Sequence, residues 1–345
     1  GSIIQRLYGK VAGSKFVTLN VRYRDHTHLF GVGTHRGTLF SALYETVLEL
    51  GITIKTSSEI IDAKWNNGRV CPITISGSVT ENFDLLVDAS GQKSALRKKH
   101  GDIKLDRSYP YGAVWGTVRL TSGAFMPDAL EQRYKHASHM IGVLPVGKLN
   151  GDSFLSAAFF WSMRTADYAR WREQDFADWK EYVASLWPET HELLSQFKSH
   201  DDLTFASYSD VILKKPYTQN IVFIGDAAHC TSPKLGQGAN LALVDAYELS
   251  ECISEAKDIS HALEAFSKRR KKHLRFYQMA SRALTPFFQS DSWVCARLRY
   301  LVCGIPCKIR ITRRIAANVL SGTRIGLFSN MNPGVWAKSY DIRKK

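Results

Sequence analysis

Between Ile221 and Glu248 the chain reads IVFIGDAAHCTSPKLGQGANLALVDAYE, and the residue types in this stretch are ones that bind ligands. The apolar run Ile221–Ile224 leads straight into Gly225-Asp226. A run of that kind reads as a buried strand, and in open α/β sheets ligands bind just past the carboxyl ends of the strands. Asp226 therefore stands where a carboxylate accepts hydrogen bonds from sugar-alcohol hydroxyls; the plainer alternative is that it caps the following turn. Pro233-Lys234-Leu235-Gly236-Gln237-Gly238-Ala239-Asn240 then opens a helical pattern whose expected core face is Ala242, Ala246, Leu249 and Ile253. Small residues let a ligand approach the backbone closely. A helix start adds free N–H groups and a positive dipole end, which suits a ligand edge carrying negative charge.

The rest of the chain supplies the elements that must position these groups. Residues 1–30 alternate weakly and read as strand material, Gly31–Gly37 as a loop. From Thr38, Leu39, Leu43, Val47 and Leu50 recur at helical spacing, and Gly51 ends the helix. Ile52–Ile54 and Ser58–Trp65 read as strands, Asn66-Asn67-Gly68 as a hairpin turn, Val70–Ile75 and Val79–Phe83 as further strands. The run Asp84–Ser90, closed by Gly91, reads as a strand buried on both faces, followed by a basic helical turn at Ser94–His100. From about 107 the texture changes to long β-type runs, Tyr111–Leu120, Met140–Val146 and Ser153–Trp161, then a helical, aromatic-rich stretch Arg164–Phe197. That is the pattern of an antiparallel sheet with covering helices. After 205 the α/β texture resumes, and from His261 onward the chain reads as basic amphipathic helices broken near Pro286 and Gly304-Ile305-Pro306.

Composition narrows the function classes. With 345 residues the chain is long enough for two domains or one large α/β unit. The net charge of +14 reads as a solvated basic surface, since neither an RNA-binding aromatic signature nor zinc-finger spacing accompanies it; no nucleic-acid partner is expected. The six cysteines show no C-x-x-C pair, which points to reduced thiols in a cytoplasmic protein and to no metal site. No apolar run is long enough to span a bilayer. A G-x-S-x-G elbow is missing, so a Ser-His-Asp hydrolase is excluded. The segment Leu298–Leu320, with Arg299, Lys308, Arg310, Arg313 and Arg314 among apolar residues, suits peripheral contact with a membrane surface.

Taken together, GDAAH-x3-P-x2-GQGAN-x4-DA-x2-L resembles the second flavin-binding fingerprint of the FAD-dependent aromatic hydroxylases, the single-component flavoprotein monooxygenases that include para-hydroxybenzoate hydroxylase and the ubiquinone-biosynthesis hydroxylases. The resemblance implies an FAD-binding α/β domain (GR2-type, Rossmann-like) interrupted by an antiparallel substrate domain. Its parts would be 1–106 (FAD-binding, first part), 107–204 (substrate sheet and helices), 205–260 (FAD-binding, second part) and 261–345 (C-terminal helices). It implies that Asp226 binds the ribityl chain and that Pro233, Gly236, Gln237, Gly238, Ala239 and Asn240 lie along the isoalloxazine ring. His35-Arg36 before the Leu39/Leu43 helix resembles the segment whose arginine meets FAD phosphate or ribose, a role that suits a guanidinium. The segment 84–97 resembles the motif linking flavin and nicotinamide, which makes Asp84, Ser90, Gly91 and Arg97 candidates; Arg97 is read either as a pyrophosphate partner or as a surface charge. Aromatic residues Tyr111, Trp115, Phe159, Phe160 and Trp161, with His229, are candidates for a substrate pocket, core packing being the alternative for most.

The implied reaction is hydroxylation of an aromatic, quinone-like or similarly electron-rich small molecule. NADPH or NADH reduces the flavin, and O2 reacts at flavin C4a through a hydroperoxide. No side-chain nucleophile is required, and none is assigned. Two departures keep alternatives open. Ser90 replaces the acid usual in its motif, which leaves a flavin reductase or halogenase on the same scaffold in play. The family's opening G-x-G-x-x-G is absent. That implies a unit of roughly 70 residues supplied upstream or on a second polypeptide, or else a truncated, non-catalytic domain.

Overall fold

The computed structural model describes residues 1–23, 29–77, 81–121, 123–149, 151–326 and 329–331; the expected strand Val79–Phe83 lies partly outside them. In chain order the elements begin with strands β1 (Ser2–Ile4), β2 (Arg6–Val11), β3 (Val17–Arg22) and β4 (Gly31–Gly33), then helix α1 (Arg36–Glu49). Next come β5 (Ile60–Asn66), β6 (Arg69–Thr74), β7 (Leu86–Asp88) and α2 (Ala95–His100). Four long strands follow, β8 (Ile103–Arg119), β9 (Ala129–Lys135), β10 (His139–Gly147) and β11 (Ser156–Arg164), before helices α3 (Tyr168–Glu173), α4 (Phe176–Leu186) and α5 (His191–Leu194). The last part holds β12 (Thr204–Leu213), β13 (Tyr217–Thr218), β14 (Ile221–Phe223), α6 (Asp226–His229), α7 (Gly238–Glu255), α8 (Ile259–Phe288), α9 (Trp293–Arg299) and α10 (Arg310–Leu320). Two compact units divide this chain: a first of Gly1–Thr53, Tyr109–Ser207 and Leu284–Ser321, and a second of Ile54–Ser108, Tyr208–Ala283 and Gly322–Lys345.

The first unit is built on strands in the order β8-β11-β10-β9-β2-β3. β8, β11, β10 and β9 pair antiparallel, whereas β2 lies parallel to β9 from Arg6↔Ala129 to Val11↔Tyr134. That long-range pairing draws residues 1–53 into this unit, which no local pattern signals. Side chains of a strand alternate between faces. Phe159, Trp161 and Met163 point to one face, where they pack with Val114, Ile141 and Val143 against Trp171, Trp179 and Val183 of α3 and α4. Each fully buried side chain of this size stabilises the fold by roughly 1.5–3 kcal/mol. Phe160 belongs to the other face, directly across from Trp115 on β8 and Gly142 on β10. A Cβ on Gly142 would lie 1.9 Å from the Phe160 ring, so the ring rests against bare backbone there.

Helix α1 starts two residues before the expected Thr38, where the His35 Nδ1 accepts the Gly37 N–H and caps it. Its periodic leucines predict a core face, yet none of its residues is buried, and Leu43 and Leu50 are 50% and 69% exposed. Leu39 and Val47 of the same face are half-buried. Gly31–Gly33 is a short strand paired with β1 rather than loop, and Ile52–Ile54 is irregular rather than strand.

In the second unit β14 is the middle strand of β13-β14-β7, antiparallel to β13 and parallel to β7. Ile221 and Phe223 pack with Ala63, Val70 and Leu96, while Val222 faces Leu249, Cys252, Leu263 and Phe266. Cover on both sides is why three apolar residues follow one another there. The apolar run of β7 predicts the same double burial, but β7 is an edge strand and Val87 is 42% exposed. β5 and β6 form the expected hairpin, with Asn67 at φ +48° in its turn.

Gly142→Ala should lower the unfolding free energy by about 1–3 kcal/mol, because the added methyl must displace the Phe160 ring. Gly123→Ala, which meets nothing within 4 Å, should change it by less than about 0.5 kcal/mol. Urea titration of the two variants checks the difference.

Candidate functional site

At the carboxyl end of β14 the chain turns sharply. Gly225 has φ +57°, and a Cβ on it would sit 3.0 Å from Ala242 Cβ, so conformation and close packing both require glycine. Asp226 follows as the exposed first residue of α6. The one-turn 3-10 helix Pro233–Leu235 ends at Gly236 in the left-handed region (φ +63°), and α7 starts at Gly238. The Gly238 Cβ position lies 4.0 Å from Asp226 Oδ1, which puts this carboxylate beside the first turn of an 18-residue helix. Pro233, Gly236, Gly238 and Ala239 are exposed; Gln237 and Asn240 are half-buried, Asn240 Nδ2 donating to Gln237 Oε1 at 2.9 Å. An open acceptor and the amides of a helix start thus face the same region with little side-chain cover.

What holds this turn is Asp245, a fully buried carboxylate on α7. Its Oδ2 accepts from Gly225 N at 2.9 Å and from His229 Nε2 at 2.5 Å, and its Oδ1 accepts from Arg270 Nε at 2.6 Å. Burial alone would raise its pKa, but His229, Arg270 and the Gly225 amide outweigh that and hold it below the usual carboxylate range. Arg270 continues the network: Nη1 donates to His273 Nδ1 at 2.6 Å, and His273 Nε2 donates to Gly322 O at 2.8 Å. His273 is therefore the neutral Nε2–H tautomer, and burial followed by the Arg270 charge pushes its pKa down to about 4. The buried stripe of α7 consequently includes Asp245 and Glu248 with Leu241, Val244, Leu249 and Cys252, whereas Ala246 and Ile253 of the expected core face are exposed. An apolar pattern misplaces the stripe because it counts ion-paired acids as surface.

The segment 84–97 behaves differently from its sequence reading. Asp88 at the end of β7 is buried and accepts from Ser90 N at 2.9 Å, Ser90 Oγ at 2.6 Å and Ser94 Oγ. Ser94 in turn accepts from Arg97 N and caps α2. Arg97 is neither a ligand-facing nor a surface charge: it is fully buried, donating to Ala227 O at 3.0 Å, Gln92 O at 2.6 Å and Asp106 Oδ2 at 3.1 Å. It clamps the Gly91-Gln92 loop to the turn after Asp226. Asp84 lies at the opposite end of β7, on the surface, in a two-point ion pair with Arg69 at 2.9 and 3.3 Å. Ser90 is exposed and Gly91 half-buried at φ +85°. His229 is 4% exposed and bound to Asp245, a supporting rather than ligand-facing position.

The remaining candidates belong to the first unit. Arg36, exposed at the start of α1, holds its guanidinium 5.3 Å from the centre of the half-buried Trp115 ring. Tyr111 OH donates to Asp291 at 2.6 Å beside a surface cleft of about 320 Å³ that Arg164, His139 and Trp293 also line; burial pushes its pKa up to about 12. Phe159 and Trp161 are core residues on the helix-covered face, and this corrects their reading as pocket residues. Phe160, of opposite parity, shares the Trp115 face. Among the described residues there is no metal-ligating cluster, and all six cysteines are free thiols.

Asp88, Asp245, Arg270 and His273 are site-forming residues that sequence reasoning does not single out. Asp88 carries a faint signal in its spacing to Ser90 and Ser94, and Asp245 lies inside the fingerprint; Arg270 and His273 are hidden in a basic run.

A family model described as an FAD binding domain matches residues 41–277. The chain is 26% identical over 247 residues to a flavin-dependent monooxygenase of an unknown prokaryotic organism, covering 69% of this chain and 61% of that protein. It is 24% identical over 268 residues to kynurenine 3-monooxygenase of Salinispora tropica, covering 72% and 57%. The chain spans about three fifths of the length of the curated relatives it matches first. Among solved structures, Klebsiella pneumoniae HpxO complexed with FAD and uric acid superposes with a TM-score of 0.74 at 18% identity, over 93% of this chain and 82% of the other. The tetrameric form of 2-methyl-3-hydroxypyridine-5-carboxylic acid oxygenase gives 0.66 at 19%, over 88% and 81%. At these identities the structural likeness is one of fold.

Asp245→Ala strips a buried acceptor from three donors at once and should destabilise the protein by about 3–5 kcal/mol in chemical denaturation. His273 adds a pH dependence. It stays neutral in the fold down to about pH 4, while an unfolded histidine takes up its proton near 6.5. Stability should therefore fall as pH drops through that window, by on the order of 3 kcal/mol from this group. The urea midpoint of His273→Gln, followed from pH 7 to pH 4, should show a slope shallower by one proton.

Proposed function

Because the chain belongs to the FAD binding domain family, we propose that it forms the flavin-ring and substrate-bearing part of an FAD-dependent monooxygenase. The enzyme hydroxylates a small aromatic or similarly electron-rich molecule, with NADPH or NADH as reductant and O2 as oxidant. The observation that carries this reading is the exposed Asp226 carboxylate beside the bare first turn of α7. That arrangement fits FAD: Asp226 would accept from the ribityl hydroxyls, and the amides of Gly236–Asn240 would stabilise negative charge on the flavin. FAD, when bound, supplies the oxygen chemistry. The chain's own part is placement. Gly225 and Gly236 shape the turn, and Asp245 and Arg97 keep it in place. The half-exposed Trp115–Phe160 face with Arg36 above Trp115 favours a planar aromatic substrate. The names of the relatives, which include an FAD-dependent urate hydroxylase and a kynurenine 3-monooxygenase, support that class.

A second reading concerns a partner surface. Along 293–315 the first unit exposes Trp293 (65%), Leu301 (53%), Ile309 (51%) and Ile311 (72%), and residues 292–320 contain six basic residues and no acid. Among the described residues no helix is long and apolar enough to cross a membrane. Exposed apolar side chains interleaved with the exposed basic residues Arg297, Lys308, Arg310 and Arg314 suit an anionic bilayer surface, and we assign this face to one, Arg299 of the same stretch being buried instead.

Incubated with FAD and desalted, the protein should retain flavin absorbance, and Asp226→Ala should bind FAD roughly 10–100-fold more weakly while keeping its fold. Equal occupancy in the two would count against the assignment. With 18O2, one labelled atom should enter the product; saturation of a double bond, or halogenation, would point to the rival activities. In sedimentation with vesicles, binding to phosphatidylglycerol but not to phosphatidylcholine is expected, weakened by Trp293→Ser with Ile311→Ser. A dimer that ignores vesicles would give the face to a second copy of the chain.

A further inference from the structure

Within the first unit a surface cleft of about 320 Å³ opens where β10 begins, β11 ends and α9 starts. Its lining reverses the charge of the molecule. The chain carries +14, yet the carboxylates of Asp167 and Asp291 line the cleft with Arg164 as its one lysine or arginine among the described residues. Arg164 is already engaged: its Nε donates to Asp291 Oδ1 at 2.8 Å, and Tyr111 OH donates to the same oxygen at 2.6 Å. These bonds, that of Tyr111 first, hold Asp291 below the usual carboxylate range, so it stays charged. Burial pushes the pKa of His139 down, and its neutral imidazole, bonded through Nδ1 to the Ser138 hydroxyl at 2.9 Å, adds no positive charge. Asp167 is exposed at the end of the 3-10 turn Thr165–Asp167, and among the described residues its carboxylate makes no hydrogen bond or ion pair. The cleft therefore has a carboxylate to spare. On a flat surface a solvated aspartate would mean little, but this one shares a concave wall with an aromatic ring. Trp293, the first residue of α9, lines the cleft and is 65% exposed; Arg297, one turn further on, lies 5.1 Å from the centre of its ring. Both also belong to the face assigned above to an anionic bilayer.

We propose that the cleft holds the ethanolamine end of a phospholipid headgroup. The ammonium, with its N–H donors, pairs with Asp167 beside the Trp293 ring, and the adjoining phosphate meets Arg297. This rests on the bilayer reading above and names the lipid. Carboxylates at such a face are repelled by an anionic surface unless the lipid itself brings a cation to them. A choline headgroup brings the charge but no N–H to donate, and a glycerol headgroup brings no cation at all.

The test is sedimentation with vesicles of fixed phosphatidylglycerol content, made up with either phosphatidylethanolamine or phosphatidylcholine. The protein should bind the ethanolamine vesicles about fivefold more tightly, as a charge-assisted hydrogen bond at a partly exposed site allows. Asp167→Ala should abolish that difference and bind the choline vesicles no more weakly, because the side chain is exposed and caps no helix. Soluble glycerophosphoethanolamine should compete the gain away, and glycerophosphocholine should not. Equal binding of the two vesicle types by the wild type overturns the inference and leaves the bilayer reading intact. A gain that survives in Asp167→Ala, or that glycerophosphoethanolamine leaves untouched, overturns it too and gives the effect to bilayer packing. Failure to bind phosphatidylglycerol vesicles of either kind removes the bilayer reading and this inference together.

Discussion

The turn that follows β14 depends on one buried carboxylate. Asp245 ties the turn after β14 to α6, α7 and α8 through Gly225, His229 and Arg270. A buried ion pair of this kind adds little net stability over a well-packed apolar group, but leaving any of its members alone is costly. Its effect is therefore one of geometry. Gly225 is held at a positive φ, Asp226 is delivered to the surface beside the start of α7, and the first turn of that helix is left open. Arg97 works on the neighbouring loop in the same manner, through carbonyl oxygens and Asp106 rather than through a ligand. Two buried networks, neither ligand-facing, thereby shape the open turn that follows β14.

In the first unit the governing constraint is strand parity. Odd-numbered aromatics of β11 fill the helix-covered core, and even-numbered ones face away from it. The same alternation that buries Phe159 and Trp161 turns Phe160 toward Trp115, where Arg36 adds a cation over the ring. Gly142 lets the Phe160 ring rest on the backbone. A surface of that composition suits a flat, electron-rich molecule. Rings alone discriminate weakly between such molecules, so chemical selection falls to polar groups.

Several features are legible in the residues themselves. The strand, acid, glycine loop and helix of 221–248 are local signals: an apolar run, residues tolerant of positive φ, and a helix start written in small residues. The Asn-Gly hairpin and the change of texture into long β runs are equally local. Family membership follows from the same fingerprint, because fixed residue types at fixed spacing reflect a backbone shape that few sequences satisfy.

Tertiary structure decided what local patterns cannot encode. Whether Arg97, His229 and Asp84 meet a ligand depended on partners distant in sequence, and these place the first two in buried networks and the third in a surface ion pair. The leucines of α1 show a helical core pattern, yet none is buried and Leu43 and Leu48 are exposed, since periodicity reports a face but not what covers it. The parallel pairing of β2 with β9 likewise joins segments that no window of sequence connects. The sequence by itself thus determined the cofactor class and the local geometry of its loop, both being short-range properties of residue type and spacing. Which charges support the site and which remain free for a ligand was settled only by folding, because burial and pairing are properties of three-dimensional neighbours.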